Sequence, residues 1–156
     1  TGGYTYYSPM LLGYMANEKQ IDLHSGTGFD HLFVLRKIKP GVELRNRLLA
    51  YHLEGLLHLI SLIENKQIPE SVTIVGTSYF FNDRTLHKLG FQIENASAFY
   101  RANLFLNFLD LIWMYSLSRG KFSIPSVWDA KKASIQGSML LSQKLKLESY
   151  KSYLSE

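Results

Sequence analysis

The sequence has no cysteine. Disulfide frameworks and thiolate metal sites are therefore excluded, and a reducing, cytoplasmic setting fits the chain. Proline is scarce, with four residues, and 19% of residues are charged against 46% hydrophobic. That balance excludes a disordered or linker-like chain and reads as globular. No basic segment followed by an apolar run opens the sequence, so no signal peptide is expected. There is no Walker lysine loop, no dinucleotide fingerprint and no internal repeat. Gly76-Thr77-Ser78 lacks the second glycine of a nucleophile elbow.

What is there suits one domain. The 156 residues are enough to bury about two thirds of the unfolded surface. Ten Tyr and nine Phe point to a thick core or a partner surface. The net charge of +4 and pI near 9.2 suit acidic ligands such as phosphates. The basic residues are spread out, with one local group at Lys131, Lys132, Lys144, Lys146 and Lys151. A solvated helix face accounts for that group as well as a nucleic-acid surface does, so nucleic acid is not the expected partner.

Local patterns predict an α+β chain. Residues 4–15 read as extended, with Pro9 at an edge or bend, followed by a turn at 17–20 and a strand at 20–24. After the Ser25–Gly28 loop, residues 30–38 read as a strand that stops at Lys39-Pro40-Gly41. Residues 42–65 are the best helix. Leu44, Leu48, Leu49, Leu53, Leu56, Leu57, Ile60 and Ile63 recur at spacings of three and four. Gly55 inside it allows a close approach to a sheet. Residues 71–81 read as a buried strand. Asn82 and Asp83 then cap a short helix, 84–89, that Gly90 closes, before a strand at 91–94.

Residues 98–118 predict a second, nearly all-round apolar helix in which Asn103, Asn107 and Asp110 fall on one stripe. Three polar groups would be costly in lipid, so no membrane span is expected. The stripe suits a helix–helix contact, with Trp113, Tyr115 and Trp128 as anchors for a second copy or a protein partner. Residues 126–154 read as helical, with Gly137 as an interruption. The domain is thus expected as an α/β core over 1–97 and a helical C-terminal extension over 98–156.

Chemistry-bearing residues gather in two places. The turn at Gly41 opens the long helix, where unpaired amides and the positive dipole end favour a phosphate. Lys37, Lys39, Arg45 and Arg47 add charge there. The loop from His24 to His31 collects two His, an Asp and hydroxyls around glycines, as a metal or hydrolytic site can, though loops collect such residues for structural reasons too. No metal site is expected. His52 and His58 are six apart on a helix and do not form a ligand pair.

The order of strand, phosphate-ready turn, long helix, strand, short helix and the run His87-Lys88-Leu89-Gly90-Phe91 resembles the GCN5-related N-acetyltransferases over residues about 20–95. The resemblance implies a mixed sheet covered by a long central helix, with extra C-terminal helices. It also implies acetyl-CoA or another acyl-CoA as a substrate, with direct transfer of the acyl group to a primary amine. Leu35 would lie along the pantetheine arm, with Lys37, Lys39, Gly41 and Val42 at the pyrophosphate and Asn82 also on the cofactor. Such transfer needs a base for the amine and an acid for the departing thiolate. His31 and Glu54 are the candidate bases, and Tyr79 and His87 the candidate acids; Leu86 stands where the family often carries a Tyr acid. The alternative function is a non-catalytic interaction or assembly domain built on helix 98–118.

Overall fold

The computed structural model describes residues 3–26, 28–78, 82–95, 97–98, 101–102, 108–125 and 131–155. The strands are β1 (Thr5–Ser8), β2 (Leu11–Asn17), β3 (Gln20–Ser25), β4 (Thr73–Ser78), β5 (Gln92–Asn95) and β6 (Lys131–Gln136). They form one mixed sheet in the order β1-β2-β3-β4-β6-β5. β3 and β4 are parallel, whereas β1–β2, β2–β3, β4–β6 and β5–β6 are antiparallel. The helices are α1 (Gly28–Leu35), α2 (Val42–Glu64), α3 (Asp83–Lys88), α4 (Phe108–Arg119), α5 (Gly137–Ser142) and α6 (Lys144–Ser155).

A parallel pair needs a long crossover, and α2 supplies it between β3 and β4. Its apolar stripe packs on one face of the sheet. Leu53, Leu59, Ile60 and Ile63 join Ile21, Ile74 and Ile135, with Leu140 from α5 and Leu147 from α6, in the main core. Gly55 lets helix and sheet approach closely: a Cβ there would lie 2.5 Å from Leu11 Cδ2 and 2.9 Å from Leu11 Cβ. A second, smaller core sits at the start of α2, where Leu44 and Leu48 meet Met10, Leu35 of α1 and Met114 of α4.

The sheet register decides what its other face carries. Asp22 lies opposite Val75, Thr77 opposite Lys132, and Lys132 opposite Glu94. Side chains alternate across a strand. Gln20, Asp22 and His24 therefore share a face with Thr73, Val75, Thr77, Lys132, Ser134 and Glu94. Ile21, Leu23, Ile74, Ala133 and Ile135 point the other way, into the α2 core.

Two sequence expectations are corrected. Residues 30–38 are not a strand; Gly28–Leu35 is helical. His31 and Leu35 are buried at 3% each, while Phe33 between them is 69% exposed. A strand would put all three on one side, whereas a helix separates the middle one. Asp30 in the first turn also favours the positive helix end. The C-terminal part is likewise not a purely helical extension, because Lys131–Gln136 forms a strand between β4 and β5. Ala133 and Ile135 are its buried positions, and pairing on both edges overrides the helix preference of Lys, Ala and Gln. Helix 98–118 is represented by α4; Asn103 and Asn107 lie outside the described residues, as does Trp128.

The caps expected around the short helix are present. The Asn82 side chain accepts the Thr85 amide at 2.8 Å. Gly90 has φ 84°, with its amide donating to the His87 carbonyl at 3.0 Å and the Phe91 amide to that of Leu86 at 3.0 Å. A left-handed glycine that ends a helix in this way satisfies carbonyls that would otherwise lack donors.

Candidate functional site

β3 and β4 are hydrogen-bonded neighbours from Gln20 opposite Thr73 to Leu23 opposite Gly76. Beyond that point, among the described residues, each strand keeps only its outer partner. β3 continues against β2 through His24 and Ser25, and β4 continues against β6 through Thr77 and Ser78. The sheet's pairing is thus interrupted between its two parallel strands, at their C-terminal ends. In α/β sheets such ends are where ligands settle.

A pocket of about 280 Å³ lies there on the polar face, lined by Gln20, Asp22, Leu23, His24, Val75, Gly76, Thr77, Glu94, Asn95, Ser97 and Lys132. The Gln20 amide donates to Asp22 Oδ1 at 2.6 Å. Among the described residues the buried Thr77 hydroxyl oxygen has no hydrogen-bond partner. Carboxylates at Asp22 and Glu94, an imidazole at His24 and an ammonium at Lys132 give the pocket groups that can bind an amine and move a proton. Sequence reasoning missed this set. The signal was the alternation in Gln20-Ile21-Asp22-Leu23-His24, which puts three polar side chains on one face.

The start of α2 forms a second feature. The Gly41 amide donates to the Leu117 carbonyl at 2.8 Å, so this donor is already used by the end of α4. Gly120 follows, and a Cβ there would lie 3.3 Å from Gly41 Cα. This backbone contact sets the segment that carries Arg119 and Lys121 against the turn before α2, whose flanking Lys37, Lys39, Arg45 and Arg47 are exposed. Arg119 also lies over the Tyr115 ring at 4.4 Å. The cationic surface around α2's first turn therefore draws on two distant segments, of which the sequence reading had one.

The expected site residues fall in different surroundings. Leu35 and His31 are buried in α1, at 3% exposure each. Lys37, Lys39 and Val42 are exposed. Glu54, on α2, pairs with Lys151 of α6 at 3.8 Å. His87 is exposed on α3. Asn82 caps α3. Tyr79 lies outside the described residues.

Three of the C-terminal lysines are tied to acidic partners. Lys131 pairs with Asp83, Lys144 with Glu64 at 2.8 Å and Lys151 with Glu54. Among the described residues no group of His, Asp and Glu is placed to hold a metal ion. Within the same residues no helix is long and apolar enough to cross a membrane.

Comparison of the chain with protein-family models, with curated proteins and with solved structures finds no match.

Proposed function

We propose that this chain is an acyl-CoA-binding, N-acyltransferase-like domain that passes an acyl group to a primary amine. The observation that carries the proposal is the break in pairing between β3 and β4, with α2 as their crossover. The GCN5-related resemblance calls for a strand that parts from its parallel neighbour before a long helix. In this reading β3, which α1 separates from α2, takes that role in place of residues 30–38. The acyl arm would enter between the ends of β3 and β4, and the cofactor's phosphates would face the cations at the start of α2. The amine acceptor would sit in the polar pocket, drawn as a cation by Asp22 and Glu94. His24, the pocket's imidazole, would be the base that relieves it of a proton.

Acetyl-CoA binding tests the proposal. A ligand that binds only the native state, at about a hundred times its Kd, adds roughly 2.7 kcal/mol. For a chain of this size that raises Tm by roughly 5–10 °C. No rise with acetyl-CoA at saturating concentrations counts against the reading.

A second reading has its own observation. On α4, Leu109 is 82% exposed and Trp113 55%, so the helix presents apolar side chains outward. A non-catalytic assembly role through this helix predicts concentration-dependent dimers in analytical ultracentrifugation that Trp113→Ala weakens.

A further inference from the structure

β3 delivers Ser25 to a turn. The chain bends at Gly26, whose amide donates to the Met10 carbonyl at 3.0 Å, and enters α1 at Gly28. A Cβ on Gly26 would meet Met10 Cε at 2.7 Å and Asp30 Cβ at 3.0 Å, so the bend is tight. Ser25 is exposed. By strand alternation it shares the face of Ile21 and Leu23, the side on which α2 packs.

His52 of α2 stands behind it. Its Nε2 lies 3.0 Å from Ser25 Oγ, and its Nδ1 lies 2.7 Å from the Leu48 carbonyl oxygen. A carbonyl only accepts, so Nδ1 carries the proton and Nε2 is left as an acceptor. The Ser25 hydroxyl then donates to Nε2. A hydroxyl hydrogen-bonded to an imidazole that a third group orients is the arrangement of an activated nucleophile. The first turn of α1 begins at Gly28, a short step along the chain from this serine, and first-turn amides are suited to a developing oxyanion. The loop's hydrolytic reading therefore finds its base on α2, at a histidine the local sequence did not indicate.

We propose that Ser25 is a nucleophile, with His52 as its general base, that accepts acyl groups from activated esters or thioesters and releases them to water. In the first step Ser25 Oγ attacks the acyl carbonyl carbon while its proton passes to His52 Nε2. The new carbon–oxygen bond forms, and the bond to the leaving alcohol or thiol breaks. The imidazolium returns the proton to that leaving group. Water, deprotonated by Nε2, then cleaves the Ser25 ester, giving the free acid and restoring the hydroxyl. A backbone carbonyl orients the imidazole in place of a carboxylate, so both steps are slow.

The proposal needs no CoA and stands apart from the transferase reading. The full chain is treated with an alkyl fluorophosphonate, and the adduct is mapped by mass spectrometry. The expected result is one adduct, on Ser25, absent in Ser25→Ala and formed at least about a hundredfold more slowly in His52→Gln. Ser25 is exposed, so Ser25→Ala retains the wild-type circular dichroism spectrum. Ser25→Cys restores acylation by p-nitrophenyl acetate as a thioester of the expected mass. The wild-type labelling rate rises with pH through a single step that His52→Gln lacks. No adduct, an adduct elsewhere, or a rate unchanged in His52→Gln overturns the proposal.

Discussion

At the scale of single residues, Gly55 shows how packing outweighs local preference. Gly55→Ala removes an unfavourable helix residue, a gain of up to about 1 kcal/mol. The added methyl would collide with Leu11, itself only 4% exposed in the core. Overpacking of this kind costs about 1–3 kcal/mol. The expected outcome is net destabilisation, read as a lower urea midpoint. Ile60, fully buried, gives the reference value, since Ile60→Ala should cost about 2–5 kcal/mol. His52 adds a pH term. Burial pushes its pKa below the ordinary value of 6.5, opposed in part by its bond to the Leu48 carbonyl. Above that ordinary value both native and unfolded imidazoles are neutral, and the native state is fully stable. As pH falls below it the unfolded state gains the proton first, so stability declines until the lower native pKa is reached. Urea titrations at stepped pH should show this loss in the wild type and a shallower one in His52→Gln.

Secondary-structure elements were legible where period and caps agreed. α2 repeats its leucines over enough turns to be unmistakable, and the Asn82 and Gly90 caps define α3. Two elements were not legible. In α1 the run Phe29–Leu35 is rich in residues that suit strands, and only the exposure of Phe33 between two buried neighbours reveals the helical period. β6 is built from residues that suit helices, and only its two flanking strands impose the extended form. The same limits applied to the candidate site. The basic turn at Gly41 was visible, but Arg119 and Lys121 reach it through the Gly41–Gly120 contact, which no local pattern announces. Ser25 and His52 are likewise 27 residues apart. The cap gives a direct test at this scale. Asn82→Ala should cost about 1 kcal/mol, whereas Asn82→Ser should keep most of that stability. Equal loss in both variants would mean that the Thr85 amide bond is not what Asn82 contributes.

At the scale of the whole molecule, the charge is arranged rather than merely positive. The C-terminal lysines Lys131, Lys144 and Lys151 lie against carboxylates of α2 and α3, while the exposed cations flanking α2's first turn share it with Glu43. An anionic ligand should therefore feel the α2 end first. Under the proposed acyl-CoA reading, the double variant Arg45→Glu, Lys121→Glu should weaken acetyl-CoA binding by roughly tenfold, about 1.4 kcal/mol. Isothermal titration in low and high salt measures it, and the wild-type affinity should fall as salt screens the exposed charges.

The position of β6 also governs how the chain can be made. The strand that joins β4 to β5 comes late, after the long apolar stretch around α4. While the polypeptide emerges from a ribosome, β4 and β5 wait with open hydrogen-bonding edges, and such edges invite pairing with other chains. Nascent chains halted before Lys131 should bind chaperones and clump, whereas those released with α6 complete, and Leu147 in place in the main core, should reach the native state.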